Sequence, residues 1–320
     1  ITLHLSRSIG RLFRPGDEII LSRMDHDANV WPWVLLARDL ELDVKWLDFD
    51  ATTFEFDLAR LDELITDRTR LICVGGASNL TGTINDVTTI CQKARAAGAL
   101  TYIDGVQSVP HVATDVQAIG CDFLVCSPYK FFGPHQGVLW GRREVLEQLE
   151  PYKVRPAYSS IPWCFETGTQ SHEGLAGITA AIDYLAWIGQ STDGELSRPR
   201  ALRAAMAKMF EYEKTLASRL ISGLQEIDGV VVQGITLPEA MDRRVPTVSF
   251  THSTVAPDTM AESLAKENIF VWSGHNYAVE VARTLGVLET GGVLRVGPVH
   301  YNSAAEIDEF LEALGRIVTA

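Results

Sequence analysis

A lysine and an aspartate between residues 102 and 137 have the types and the placement that covalent amine chemistry requires. Asp104 ends one predicted strand, and the next strand leads through Ser127 to Lys130 and a turn rich in Gly and Pro. A lysine forms a Schiff base only after losing its proton, which a partly desolvated, cation-rich pocket favours. A carboxylate beside a pyridine nitrogen keeps that nitrogen protonated, so that the ring accepts electrons from a substrate carbanion. On neighbouring strands, the two side chains could meet one bound ring from two sides.

The elements that must position these side chains follow a pattern of apolar strands alternating with amphipathic helices. We predict strands at residues 18–21, 44–49, 71–74, 100–103, 123–126 and 137–140, and helices at residues 30–40, 58–66 and 87–97. Continuous apolar strands separated by helices indicate a mainly parallel sheet covered on both faces, and thus an α/β fold. Ligands bind at the carboxyl ends of such strands, where the sequence places Asn79, Asp104 and Lys130.

The second part of the chain predicts a smaller α+β unit reached through long helices. The predicted helices are residues 174–188, 201–227, 257–266 and 304–317, and the predicted strands are residues 230–233, 247–251 and 294–297. Ser303 and Glu306 have the spacing of a capping box for the last helix. We therefore expect a large domain at residues 1–200, a connecting helix at 201–227 and a small C-terminal domain at 228–320.

Composition and charge limit the classes of function. The net charge of −13 argues against a general affinity for nucleic acid or anionic lipid, and no apolar stretch approaches the roughly eighteen residues of a membrane span. The five cysteines show no C-x-x-C spacing and are typical of buried thiols in a reducing compartment, so we expect a cytoplasmic protein. We expect no metal, because His and Cys residues lack paired ligand spacing, and no loop typical of dinucleotide or triphosphate binding is present.

The stretch that contains the lysine resembles a known family signature. The segment DGVQ, followed by CDF, by S-x-x-K and by a Gly-Pro turn, resembles class V aminotransferases and group II cysteine desulfurases, which are fold type I enzymes carrying pyridoxal 5'-phosphate (PLP). The resemblance implies that Lys130 forms the Schiff base and that Asp104 contacts the pyridine nitrogen. It also implies that Gln107 lies near the ring hydroxyl and that Ser127 binds the cofactor phosphate.

Four other segments resemble the same family in the same order. The segment MDHDANVWPW implies that His26 stacks on the cofactor ring, and SNLTGTIND implies that Asn79 approaches the ring oxygen. The segment FETGTQSHEG resembles a loop that crosses a dimer interface to the partner's phosphate, which implies a homodimer with shared sites and a role for Thr169. The segment LRVGPVHYNS implies that Arg295 binds the substrate carboxylate, which a guanidinium fork suits.

The chain departs from the desulfurase pattern at two places near the expected substrate. Where those enzymes carry Gly-His-His-Cys-Ala, residues 274–278 read GHNYA, so that Tyr277 takes the place of the thiol. A tyrosine with an ordinary pKa near 10 cannot replace a thiolate as the acceptor of a persulfide. Cys164 lies in a predicted loop and is an alternative thiol, although a structural role fits it better. Tyr129 replaces the histidine before the lysine, and we count Tyr129, His275 and Tyr277 with Arg295 as substrate-binding candidates.

A third departure concerns the start of the sequence. The family places a Gly-Thr/Ala-Thr phosphate loop ahead of the position that aligns with Ile1. We therefore expect a longer polypeptide upstream. A chain truly beginning at Ile1 would bind PLP weakly.

These observations lead to one expected function and several alternatives. We expect a PLP-dependent enzyme that acts on a small amino acid through an external aldimine, with Lys130, His26 and Asp104 as the catalytic residues. The expected reaction is cysteine desulfurase-like, as a lyase or in biosynthesis rather than as an ordinary desulfurase. A class V aminotransferase and an epimerase are the alternative enzymes, and a degenerate scaffold without cofactor is the non-enzymatic alternative.

Overall fold

The computed structural model describes residues 1–190 and 195–319, and its larger sheet has the predicted α/β character. Six strands lie in the order β2-β1-β3-β4-β5-β6, with β1 to β5 parallel and β6 antiparallel to β5. The strands are β1 (Glu18–Ser22), β2 (Asp43–Leu47), β3 (Thr69–Gly75), β4 (Leu100–Asp104), β5 (Phe123–Cys126) and β6 (Val138–Gly141). Each predicted strand of this half is therefore present, within a few residues of its expected ends.

Helices cover both faces of this sheet because its strands are apolar on both sides. In β1, Ile19 and Leu21 pack with Trp33 into one buried cluster, whereas Ile20 packs with Ile72 into another on the opposite face. The helices of this half are α1 (Thr2–Gly10), α2 (Trp31–Leu40), α3 (Leu58–Leu64), α4 (Val87–Ala96), α5 (Val116–Ile119), α6 (Arg143–Leu146) and α7 (His172–Ile188).

A helix of 28 residues, α8 (Arg198–Gln225), leads to a second sheet with its own core. This sheet is antiparallel, in the order β7-β8-β10-β9. Its elements are β7 (Val230–Gln233), β8 (Val248–His252), α9 (Pro257–Lys266), β9 (Trp272–Gly274), α10 (Val279–Thr284), β10 (Val293–Val296) and α11 (Ala304–Thr319). Phe250 and Phe310 pack together in the core between this sheet and its helices. The division into residues 1–200, 201–227 and 228–320 stays a prediction.

The sequence predicted the cap of the last helix correctly, but it did not predict several of the shorter elements. The capping box is confirmed, since the main-chain N–H of Ser303 donates to the Glu306 carboxylate at 2.6 Å and Ser303 Oγ accepts from the Glu306 N–H. The helices α1, α5, α6 and α10 and the strand β9 were not predicted. These elements carry weak local signals, because α1 and α10 lack a side-chain N-cap and α5, α6 and β9 are only three or four residues long.

Candidate active site

A cavity of about 230 Å³ lies where three neighbouring parallel strands of the larger sheet end. Gly75 ends β3, Asp104 ends β4, and Ser127 directly follows β5. We call this space the lysine cavity. The predicted residues that line it are His26, Asn79, Asp104, Gln107, Ser127, Tyr129 and Lys130. Residues expected at the carboxyl ends of separate strands are thus brought together around one space.

Lys130 lies on the short 3₁₀ turn after β5 and points its amine into this cavity. Its Nζ donates to Gln107 Oε1 at 3.1 Å, and Gln107 Nε2 in turn donates to Thr247 Oγ1 at 2.8 Å. Burial, followed by the charge of the nearby Arg295, lowers the pKa of Lys130 to about 8, although the Asp104 carboxylate opposes both. Roughly a tenth of the amine is therefore unprotonated at pH 7, far more than for a lysine of ordinary pKa, and attack on a carbonyl requires this form.

Asp104 is held at the end of β4, with a second buried carboxylate nearby. Asp104 Oδ1 accepts the Val106 N–H at 2.9 Å, and burial raises the pKa of Asp104. Burial, helped by the Asp104 charge, raises the pKa of Asp25 to about 7. Asp25 Oδ1 accepts from Ser22 Oγ and from the Gly75 N–H, each at 2.8 Å. Asp25 was not among the predicted site residues, and its contact with Gly75 fastens the His26 loop to the end of β3.

His26 has a fixed tautomer because it caps a short 3₁₀ helix, Asp27–Asn29. Its Nδ1 accepts the Ala28 N–H at 3.0 Å, which places the proton of the neutral ring on Nε2. Burial, followed by the charges of Lys130 and Arg295, lowers the pKa of His26 to about 4. The side chain therefore offers a flat, uncharged ring near neutral pH.

Tyr277 lies against His26 at the rim of the lysine cavity. The two rings stack with centroids 5.5 Å apart and planes inclined by 17°. Asn276 and Tyr277 both have left-handed backbones, with φ of 51° and 57°. The Asp27 N–H donates to the Tyr277 carbonyl at 2.7 Å, and Asn79 Nδ2 donates to the Asn276 carbonyl at 2.7 Å. These bonds tie the loop before α10 to two segments of the lysine cavity.

Arg295 opens into a neighbouring cavity of about 340 Å³, the arginine cavity, which shares Gln107 and Lys130 with the lysine cavity. Its Nη1 donates to the Asn79 carbonyl at 3.0 Å. Among the described residues, no carboxylate pairs with Arg295 and no acceptor binds its Nε or Nη2. Because a half-buried cation without a counter-ion is costly, the free edge suits an anionic ligand.

The remaining predicted residues lie outside the lysine cavity or at its edge. Thr169 is exposed and lines neither cavity of its own chain. Tyr129 lines the lysine cavity, and its ring stacks on His135 at 4.9 Å. His275 is exposed, and its Nδ1 accepts the Tyr277 N–H at 3.0 Å.

The five cysteines are free thiols with raised pKa values. Burial raises the pKa of Cys91 and of Cys126 to about 11 and that of Cys121 to about 12. Burial also raises the pKa of Cys73 and of Cys164. A nucleophilic cysteine requires a lowered pKa and access to the ligand, so these environments are typical of structural thiols.

The lysine cavity fits the pyridine ring of PLP on three observations. Asn79 Oδ1 is buried without a partner among the described residues, and the Asp104 carboxylate, which accepts the Val106 N–H through Oδ1, lines the same cavity. The neutral His26 ring and the Lys130 amine line the same space. The cavity therefore offers an acceptor for a protonated ring nitrogen, an amine that can react with a carbonyl, and a surface on which the ring can stack.

Within residues 1–190 and 195–319, no group of three or more His, Cys, Asp or Glu side chains is arranged to hold a metal ion. In the same ranges, no helix combines the length and the apolar character needed to cross a membrane.

Comparison with known proteins agrees with this geometry. The family profile described as "Aminotransferase class-V" matches residues 3–310. A cysteine desulfurase from Yersinia pestis (strain Pestoides F) is 30% identical over 327 residues, covering 98% of this chain and 74% of that protein. The apo structure of a cysteine desulfurase from Thermococcus onnurineus NA1 superposes with a TM-score of 0.87 at 26% identity, covering 99% of this chain and 76% of that chain. Cysteine desulfurase CsdA from Escherichia coli gives a TM-score of 0.85 at 27% identity, with the same coverage. The chain belongs to the class V aminotransferase family of fold type I, PLP-dependent enzymes, and is cysteine desulfurase-like.

Proposed function

We propose that this enzyme binds PLP through Lys130 and removes the α-proton of a small amino acid. The observation that carries the proposal is the position of Lys130 at the junction of the two cavities. On one side lie Asp104 and His26, which suit a pyridine ring, and on the other lies Arg295, which suits a carboxylate. A single amine therefore borders both the space for the cofactor and the space for the substrate.

Each residue of the lysine cavity is suited to a different part of the cofactor. Asp104 is suited to the ring nitrogen, the neutral His26 to the ring face, and Asn79 and Gln107 to the ring oxygen. Ser127 is the cavity residue suited to the phosphate. When bound, PLP supplies an electron sink that stabilises negative charge on the α-carbon of the substrate.

Arg295 is suited to bind the substrate, and Lys130 is suited to take its α-proton. The free Nε and Nη2 of Arg295 form a donor edge that a carboxylate can accept bidentately. Lys130 lines both cavities, so its amine would serve as the base that accepts the α-proton. Its pKa of about 8 lies near neutral pH, where a side chain can both accept and return a proton.

The step after proton removal is proposed to be an elimination, in a lyase or in a biosynthetic reaction, rather than ordinary desulfuration. Two observations support this choice. The resemblance to desulfurases implies that Tyr277 takes the place of their thiol, and all five cysteines have raised pKa values. A Tyr277→Cys variant that gained sulfur transfer from cysteine would support the idea that only this thiol is lacking.

A class V aminotransferase reaction is the second candidate, favoured by the family profile that the chain matches. The two candidates differ in where the nitrogen goes. Elimination releases the β-substituent, ammonia and a keto acid and leaves the cofactor unchanged, whereas transamination yields a keto acid, releases no ammonia and leaves the amino group on the cofactor. Quantifying ammonia and the aminated cofactor in a single turnover separates them. Inversion at the α-carbon would indicate an epimerase instead.

We also propose that the protein acts as a cytoplasmic homodimer with shared sites. The exposure of Thr169 outside both cavities of its own chain supports a role for that side chain in a partner's site. The free cysteines support a reducing compartment. The mass of the protein in solution tests the dimer directly.

The cofactor assignment is tested by the visible spectrum of the protein with added PLP, followed by borohydride reduction and peptide mapping. We expect a Schiff-base band and a stable pyridoxyl adduct on Lys130. Lys130→Ala should lose that adduct and at least roughly a hundredfold in α-proton removal, whereas exposed Lys208→Ala should retain both. A pyridoxyl adduct on another lysine, or unchanged turnover in Lys130→Ala, contradicts the proposal.

A further inference from the structure

The arginine cavity has aromatic walls that the cofactor does not require. Trp272 on β9 stands opposite Arg295 on β10 in the register of the second sheet. Phe270, which precedes β9, lines the same cavity. Trp272 is 60% exposed and Phe270 is 81% exposed, so both rings offer large apolar surfaces to whatever enters. Such surfaces beside a charged anchor are typical of ligand sites.

The charges of this cavity are unbalanced. Its cations are Lys130 and Arg295, and no carboxylate of the described residues lines it. His111 also lines the cavity, and its Nδ1 lies 2.8 Å from the carboxylate of the buried Glu213. A cationic substrate side chain would therefore find no counter-ion in the cavity walls.

An acidic substrate side chain would be poorly matched as well. The α-carboxylate of the substrate needs one cationic partner. The free edge of Arg295, formed by Nε and Nη2, offers a place for one carboxylate. Under the proposed function, Lys130 is engaged with the cofactor and the substrate α-carbon. A second carboxylate would consequently be desolvated without a partner, which is costly.

We propose that the arginine cavity selects α-amino acids with an uncharged, apolar side chain, including aromatic ones. The α-carboxylate binds Arg295, and the side chain packs on Trp272 and Phe270. This inference rests on the proposed function, because it takes the amino acid to be the molecule that Lys130 deprotonates. One apolar contact in a pocket changes selectivity by roughly 10- to 200-fold.

The test is α-proton exchange in deuterated water, followed by ¹H NMR with the PLP-loaded protein. One C–H bond breaks and one C–D bond forms, so the assay reports proton removal whatever the later reaction is. The probes are phenylalanine, leucine, alanine, lysine and aspartate at equal concentration. We expect phenylalanine and leucine to exchange at least about tenfold faster than lysine and aspartate.

Alanine variants of the two aromatic residues test whether the arginine cavity causes the preference for apolar side chains. Trp272→Ala and Phe270→Ala should each lower the phenylalanine-to-alanine ratio of kcat/KM by about tenfold. Trp187→Ala, which removes an exposed indole lining neither cavity, should leave that ratio unchanged.

The outcomes separate the two proposals. No exchange with any amino acid overturns the proposed function. Exchange in which lysine or aspartate equals phenylalanine overturns the cavity assignment alone. The assignment is also overturned if both alanine variants keep the selectivity ratio, or if they turn a dimer into monomers at an unchanged ratio. That last outcome would assign the aromatic rings to a subunit interface.

Discussion

The Tyr277 ring stacks on the His26 imidazole across the rim of the lysine cavity, at a centroid distance of 5.5 Å. The contact depends on two consecutive residues, Asn276 and Tyr277, with left-handed backbones that cost free energy for side chains other than Gly. Hydrogen bonds from Asp27 and Asn79 hold the loop in this shape. Tyr277 therefore supports the ring proposed to cover the cofactor.

Replacing Tyr277 should weaken cofactor binding through His26. Tyr277→Ala removes the stack, and an aromatic pair is worth about 0.5–1.5 kcal/mol, so the Kd for PLP should rise by roughly two- to twelvefold. Tyr277→Phe keeps the ring and should bind PLP like the parent protein. An absorbance titration measures both. Equal losses in the two variants would assign the effect to the hydroxyl, and no loss in either would leave the stack without a role.

The sequence predicted the framework of this site better than its contacts. The alternation of apolar strands and helices located Asp104, Ser127 and Lys130 at neighbouring strand ends, because chain order and strand polarity decide where such residues lie. The contact of Asp25 with Gly75 and the stack of Tyr277 on His26 join segments far apart in the chain. No local pattern encodes these pairings, since the first depends on the pairing of β1 with β3 within the larger sheet and the second on how the loop before α10 packs against that sheet.

The pKa of Lys130 predicts a specific pH dependence of cofactor capture. The free amine reacts, so the rate of Schiff-base formation should rise with pH through about 8 rather than through the ordinary value of 10.5. Arg295→Gln removes a cation and should move this midpoint upward, whereas Asp104→Asn removes an anion and should move it downward. Stopped-flow absorbance across pH measures the midpoint. A rise confined to pH values near 10.5 would contradict the lowered pKa.

Arg244 should be a major source of stability near the site. This cation is 3% exposed and donates to the main-chain oxygens of Ile235 and Thr247, and burial lowers its pKa to about 10. Arg244→Met leaves these buried carbonyls without a donor, at about 1–3 kcal/mol each, partly offset because a buried cation is removed. We expect a clearly lowered midpoint in urea denaturation.

The adjacent Arg243 provides the matched control for that experiment. It pairs with Glu55 at 2.7 Å, and its side chain is 51% exposed. An exposed pair of this kind contributes about 0–1 kcal/mol, so Arg243→Met should shift the midpoint little. Equal shifts in the two variants would show that burial of the Arg244 hydrogen bonds is not what stabilises this region.

Thr169 should act on the site of the partner subunit. It is exposed and lines neither cavity of its own chain, yet it falls in the segment that resembles a phosphate-binding loop. Removing one hydrogen bond to a charged phosphate costs about 1.5–3 kcal/mol, so Thr169→Ala should weaken PLP binding by at least roughly tenfold. Thr167→Ala, two residues earlier and also exposed, is the control.

A mixed dimer decides whether Thr169 acts within its own chain or across the interface. One protomer carries Lys130→Ala and the other carries Thr169→Ala, each with a different affinity tag so that the mixed species can be isolated. If Thr169 acts across the interface, the subunit that keeps Lys130 receives an intact Thr169 from its partner. Half of the sites should then bind PLP with parental affinity in a titration followed by borohydride reduction. Weak binding at every site, or a protein that is monomeric at the concentrations used, would show that Thr169 does not complete a partner's site.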